Sequence, residues 1–254
     1  MLSAMTTSLI TGATAGIGHE YAVQLAARGD DLVLVARDSA RLEDVAADLR
    51  GAHGISVEVL VADLTDRGDL ARVEARLADR ERPVDLLVNN AGFGLKKRFL
   101  DNTADEETAM LEVLVTAVLR LSHAALGAMA ERGHGGIINV SSVAAFLPRG
   151  TYSAAKAYVN SFSEWAHLEY KSRGVTVMAL CPGFTKTEFH QRMQVKPGEG
   201  FMWLDADFLV RTSLEDFAKG RAYSVPGAQY KVVRALTKAI PNRVLRLTQN
   251  LGRR

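Results

Sequence analysis

Thr11-Gly12-Ala13-Thr14-Ala15-Gly16-Ile17-Gly18 is the stretch that decides the fold. It follows a short apolar run, Ser8 to Ile10, read as a strand. It precedes a helical pattern over His19 to Arg28, with Tyr21, Val23 and Leu25 apolar and Gly29 as the stop. A glycine-rich turn from strand to helix presents bare backbone N–H groups at a helix N-terminus, which is what a pyrophosphate needs. Gly12, Gly16 and Gly18 are expected to keep side chains out of the way, with Thr14 and Ile17 beside them. A plain strand–helix turn can also contain glycines. The place of this one, opening the first βαβ unit, favours a dinucleotide.

The alternation continues outward. Strands are expected over Leu32 to Ala36, Ser56 to Ala62, Val84 to Val88, Gly136 to Val140 and Val175 to Leu180, with a short last one over Ala222 to Val225. Helices are expected over Arg41 to Arg50, Leu70 to Arg80 and Ser153 to Lys171. Asp105 to Met129 reads as one long helix or two abutting ones. The rhythm implies an α/β fold, a Rossmann-type doubly wound parallel β-sheet with helices on both faces and right-handed crossovers. A hydrophobic share of 48% with only 7% aromatics suits strands buried on both sides. The 254 residues fit a single domain, with a candidate lid at 184–204 and a basic extension at 227–254.

A net charge of +2 gives no reason to expect a nucleic-acid partner. The single cysteine, Cys181, excludes an internal disulfide and fits a reducing compartment. The first residues do not read as a signal peptide, and no uncharged apolar stretch is long enough to span a bilayer. A soluble cytoplasmic protein is expected, and no metal.

The end of the second expected strand, Ala36-Arg37, bears on the cofactor. An acid there would accept from the ribose 2′-hydroxyl of NAD; an arginine can pair with the 2′-phosphate of NADP(H). NADP(H) is therefore expected, although Arg37 could be a solvated arginine neutralised by Asp38. Asp63, followed by Leu64, could accept from the adenine amino group. The alternative is a helix N-cap, a role open to Asp66 as well.

Tyr152 and Lys156 stand four apart at the start of an expected helix and share one face. A phenol is a poor acid–base group at neutral pH, and a nearby ammonium favours its ionised form. Ser142, after the fifth strand, could hydrogen-bond a carbonyl oxygen as charge develops on it. Tyr-x-x-x-Lys alone is common on exposed helices. Here Ile137-Ile138-Asn139-Val140-Ser141-Ser142 precedes it and Cys181-Pro182-Gly183 follows.

With these motifs in view, the chain resembles the short-chain dehydrogenase/reductase family to about residue 226. The matching residues are the glycine turn, Asp63-Leu64, Asn89-Asn90-Ala91-Gly92, the serine strand, Tyr152 with Lys156, and Pro182 to Thr187. The resemblance implies that Asn90, Ala91 and Gly92 stabilise the sheet beside the cofactor and that Lys156 also holds the nicotinamide ribose. It implies that Pro182, Gly183 and Thr185 line the nicotinamide and pyrophosphate, and that the protein is a dimer or tetramer. Gly16 to Tyr21 and Glu169 to Val175 are similar to the branch holding 3-oxoacyl-CoA reductases and 17β-hydroxysteroid dehydrogenases. Two departures stand out. The turn has Thr14-Ala15 where many NADP-using members carry a basic residue, so Arg37 must bear the 2′-phosphate, with Thr14 a helper. Leu114 occupies the place of the family's relay asparagine.

The expected activity is hydride transfer between a nicotinamide and a carbonyl or secondary alcohol, with Ser142, Tyr152 and Lys156 catalytic. A cofactor-binding sensor or scaffold is the alternative that Leu114 raises. Phe189, Met193, Val195, Phe201, Met202, Trp203 and Leu204 give the lid candidate an apolar weight that suggests an apolar substrate. They could equally pack on the body or on a second subunit. In the tail, Tyr230, Val233, Leu236 and Ile240 recur at helical spacing among Lys231, Arg234, Lys238, Arg243, Arg246, Arg253 and Arg254. A helix docked on the body or on a partner subunit, with a solvated basic face, is the preferred reading, and peripheral membrane contact the other.

Overall fold

Seven strands, β1 (Thr7–Thr11), β2 (Asp31–Ala36), β3 (Val57–Val61), β4 (Leu86–Asn89), β5 (Gly135–Val140), β6 (Val175–Leu180) and β7 (Tyr223–Ser224), form one parallel sheet. Their order is β3-β2-β1-β4-β5-β6-β7. The structure is a computed structural model and describes residues 6–188 and 200–239. Consecutive strand residues point to opposite faces. Ile10, Leu34, Val88, Ile138 and Met178 enter one apolar core, and Leu9, Val33, Leu87, Ile137 and Val177 the other. Both faces are covered, which is why the strands read as unbroken aliphatic runs.

Helices α1 (Gly16–Ala26) and α2 (Ser39–His53) cover the first face, through Tyr21, Leu25, Leu42 and Val45. α3 (Arg67–Ala78) covers the second with Leu70, Val73 and Leu77. α4 (Ala104–Leu111) runs through a π-helical turn at Glu112–Ala117 into α5 (Val118–Arg132), so the expected long helix is continuous with one irregular turn. This 29-residue run is long and apolar enough to cross a membrane by composition. Here it packs against α3, β4 and β5 as a core helix. α6 (Thr151–Tyr170) completes the second face.

The sequence reading misses α7 (Ala206–Ala218), which packs on α1 through Leu209, Val210 and Leu214. Its buried Ser213 meets the hydroxyl of Tyr21 at 2.5 Å. α8 (Ala228–Ala239) lies where the tail periodicity predicts a helix, and Tyr230 is buried. Ile240, Arg243, Arg246, Arg253 and Arg254 lie outside the described residues, as do Phe189, Met193 and Val195.

α2 and α3 are capped by Asp38 and Asp66, and α4 by a Thr103–Glu106 capping box. α1 differs. Its N-cap, Ala15, makes no side-chain bond, and its first turn has no acid. The N–H groups at that end receive no acceptor from the N-cap side chain.

Candidate active site

The strand order reverses between β1 and β4, so the loops after them diverge and leave a crevice at the carboxyl edge of the sheet. A cavity of about 1150 Å³ fills it. Its wall runs from the glycine turn, past Arg37 after β2, Asp63 and Leu64 after β3, and Asn90 to Gly92 after β4. It continues through Ser142 after β5 to Pro182, Gly183 and Thr185 after β6. Six strand ends thus bring the expected residues to one place.

Gly12, at φ 68°, is in the left-handed region, and a Cβ there would sit 3.0 Å from the Ala91 Cα. The two turns are stitched together across the crevice. Asn90 donates from Nδ2 to the carbonyls of Thr11 at 2.9 Å and Gly12 at 3.2 Å. Thr11 Oγ1 accepts from the backbone of Asn90 and Ala91, each at 3.0 Å. Thr14, Gly16 and Ile17 line the cavity, but Gly18 does not. A Cβ on Gly18 would lie 2.3 Å from both Asn90 Nδ2 and the Gly12 carbonyl oxygen. Its part is close packing of α1 behind the turn, a correction to the clearance expected of it. The uncapped α1 terminus with bare backbone around it fits a pyrophosphate.

At the β2 end, Arg37 is largely exposed and its Nη1 lies 3.7 Å from Asp63 Oδ2. The expected neutraliser, Asp38, instead accepts from the Arg41 N–H at 3.1 Å as the α2 cap. Asp66 rather than Asp63 caps α3. Asp63 accepts from the N–H and hydroxyl of Thr65. Burial raises its pKa, but the Thr65 bonds and the Arg37 charge outweigh that and hold it below the ordinary value. Arg41 and Glu188 also line this part of the cavity. Neither was singled out by sequence, since nothing local marks a pair so far apart in the chain.

At the other end, the hydroxyl of Ser142 accepts from the Ala144 N–H at 3.1 Å and is hydrogen-bonded to the phenol of Tyr152. Lys156 is buried; its Nζ donates to the Val140 carbonyl at 2.6 Å and lies 5.8 Å from the centre of the Tyr152 ring. Burial pushes Lys156 down to about 8. Burial also pushes Tyr152 up to about 12, against the bond from Ser142. Sequence reasoning expects the ammonium to lower the phenol; desolvation outweighs that effect. Leu114 sits in the π turn, fully buried, and packs with Met110, Ala155 and Tyr152. No polar side chain stands there.

The lid residues divide. Met202 lines the cavity, Leu204 is buried in the body, Trp203 stacks on Phe184 with ring centres 5.2 Å apart, and Phe201 is 81% exposed. Tyr230 of α8 was expected only to dock. Its ring covers Gly183, its hydroxyl accepts from the Phe184 N–H at 2.8 Å, and it donates to the Met202 carbonyl. Val233 and Leu236 follow it along the wall. Arg234 does not belong to a solvated basic face, because it lies over the rings of Tyr223 (4.2 Å) and Phe146 (5.6 Å).

Residues 6–197 match the family model described as short chain dehydrogenase. Over 189 residues the chain is 35% identical to a very-long-chain 3-oxoacyl-CoA reductase of Anas platyrhynchos, covering 71% of this chain and 60% of the relative. It is 31% identical over 185 residues to a Homo sapiens protein described as inactive hydroxysteroid dehydrogenase-like protein 1, covering 71% and 56%. The chain thus spans under two thirds of the length of these relatives. A short-chain dehydrogenase from Sphingobium yanoikuyae, solved in complex with NADPH, superposes with a TM-score of 0.85. It is 36% identical, covering 92% of this chain and 94% of that one.

Proposed function

Because the chain belongs to the short-chain dehydrogenase family, we propose that it is an NADP(H)-dependent oxidoreductase acting on the carbonyl or secondary alcohol of an apolar compound. The observation that carries this reading is the convergence of Ser142, Tyr152 and Lys156 on the cavity that begins at the uncapped α1 terminus. The dinucleotide, when bound, supplies or accepts the hydride. Ser142 holds the substrate oxygen beside the phenol. With its pKa near 12, Tyr152 keeps its proton at neutral pH and is ready to donate it as a carbonyl is reduced. Lys156, held by the Val140 carbonyl, is cationic below about pH 8 and offsets the charge the phenol then acquires. Arg37, with no acid at the end of β2, supports NADP(H), as does the NADPH-bound relative. Phe93, Val113, Leu147, Met202 and Val233 give the cavity walls suited to an apolar substrate, in keeping with the oxoacyl name of the bird relative.

A second reading, a cofactor-binding sensor with lost chemistry, draws on Leu114 and on the human relative described as inactive. The intact serine, tyrosine and lysine favour catalysis, since a scaffold has no chemical use for them. Tyr152→Phe is the test. Turnover of an apolar ketone with NADPH should be abolished while NADPH still binds, because the ring packs without its hydroxyl. A variant that keeps most of the wild-type activity would overturn the assignment, and a wild type that binds NADPH but reduces no ketone would favour the sensor.

A further inference from the structure

Two charged side chains on the cofactor wall hold each other. Arg41, in the first turn of α2, donates to both carboxylate oxygens of Glu188, from Nη1 to Oε2 at 3.1 Å and from Nη2 to Oε1. Glu188 lies in the segment that leaves β6 through Thr185. Its neighbour Thr187 lies against the glycine turn, where a Cβ on Gly16 would meet the Thr187 Cβ at 3.0 Å. The segment therefore touches the cavity wall both at the β1–α1 turn, through Thr187, and at the start of α2, through the ion pair.

The pair is poorly placed to be a stability device. Its side chains are 41% and 37% exposed, so water and salt screen it. A guanidinium that grips a carboxylate with two donors also has the fork that fits a phosphate monoester. Arg37, the cation expected to meet a 2′-phosphate, lies four residues earlier on the same wall.

We propose that Arg41 is a second cation for the ribose 2′-phosphate, held by Glu188 until that phosphate arrives and exchanged to it on binding. The inference rests on the NADP(H) reading above. The phosphate carries more charge than the carboxylate and competes for the same fork. Glu188, left beside the phosphate, is repelled toward water. Arg41 thus favours the phosphorylated cofactor and Glu188 opposes it. The two halves of a structural ion pair do the same kind of harm when removed. The two halves of an exchanged pair act in opposite directions.

The experiment is a fluorescence titration of NADPH and of NADH into wild type, Arg41→Ala, Glu188→Gln and the double variant, with thermal unfolding of each as a control. Arg41→Ala should weaken NADPH roughly tenfold, the scale of one charge-assisted contact, and leave NADH nearly unchanged. Glu188→Gln should tighten NADPH about threefold, the scale of an exposed ion pair, again sparing NADH. That gain should shrink when Arg41 is absent, because no cation remains to be released. If Glu188→Gln weakens NADPH or leaves it unchanged, the exchange is overturned. Equal loss of both cofactors in Arg41→Ala overturns the phosphate-reading role. A wild type that binds NADPH and NADH alike overturns the NADP(H) reading itself, whereas a clear preference untouched by Arg41→Ala overturns only this inference.

Discussion

Leu114 stands against Gly92 so closely that a Cβ on the glycine would lie 2.8 Å from its Cδ2, and that same Cβ would be 4.0 Å from Lys156 Nζ. Leu114 therefore puts hydrocarbon, and no polar side-chain atom, near Lys156 at the place where the family resemblance puts a relay asparagine. Leu114→Asn should raise turnover and reduce the solvent isotope effect, because a polar side chain there can bring water to Lys156. A positioned proton-transfer group contributes about 10²–10⁴-fold, and a relay that feeds it contributes less. An unpartnered buried amide would cost about 1–3 kcal/mol, so the comparison is made at matched folding. A wild type without an isotope effect and a variant without a gain would count against this role.

Lys156 predicts a pH dependence. With its pKa lowered to about 8 by burial, the ammonium is lost as pH rises through that value. Since kcat/KM reports the ionisations of the unliganded enzyme, carbonyl reduction should fall above about pH 8. Lys156→Arg, which does not titrate there, should lack that descending limb. The stability sign follows from the same shift. Below about pH 8 the lysine is charged in both states, and its burial penalty is fully present. Between about 8 and the ordinary 10.5 the unfolded chain binds more protons, so stability rises with pH. Replacing Lys156 by Met should flatten that rise in urea titrations. An unchanged slope would mean the lysine is not desolvated as described.

Two glycines should respond oppositely to alanine. Gly18→Ala forces a methyl to within 2.3 Å of Asn90 Nδ2 and the Gly12 carbonyl. It should cost about 1–3 kcal/mol or more by overpacking and should weaken the cofactor as Asn90 shifts. Gly51, within α2, has no atom within 4 Å of its would-be Cβ, and its alanine should stabilise by about 0.5–1 kcal/mol. Urea unfolding of both variants checks the pair; losses of similar size would refute the packing argument.

Tyr230→Phe removes the one hydroxyl that joins Phe184 to Met202. The substrate end of the cavity should loosen, raising KM for an apolar ketone while kcat changes little, at a stability cost of about 1–2 kcal/mol. A fall in kcat with KM constant would place the tyrosine's effect on the chemistry instead.

Features written in adjacent residues were legible from the sequence. The glycine turn, Tyr152 with Lys156, and Asn90 to Gly92 each depend on a local pattern, and of the site residues expected from them all but Gly18 reach the cavity wall. Contacts across the chain were not legible. Arg41 and Glu188 are 147 residues apart, and Tyr230 meets Phe184 across 46. α7 escaped because its inward side includes Ser213 and Asp216, which break the apolar pattern. Tyr21, Ser224 and Arg221 satisfy them, and no sequence pattern announces those partners. The raised pKa of Tyr152 is not legible for a related reason, since a spacing reveals a neighbour's charge but not the loss of water.

Every neighbouring pair of strands is parallel, so no pairing can be closed by a hairpin. Ser8 waits for Leu86 until α1, β2, α2, β3 and α3 have been made, and among the described residues the cavity wall runs as far along the chain as Leu236. Topologies so rich in distant contacts fold slowly. Until β4 arrives, the inner edge of β1 is an open template for misplaced strands, so the growing chain is more vulnerable than the finished one. A ligand that touches both the β1 and β4 turns binds only after that edge is closed, and so draws newly made chains toward the native state by mass action.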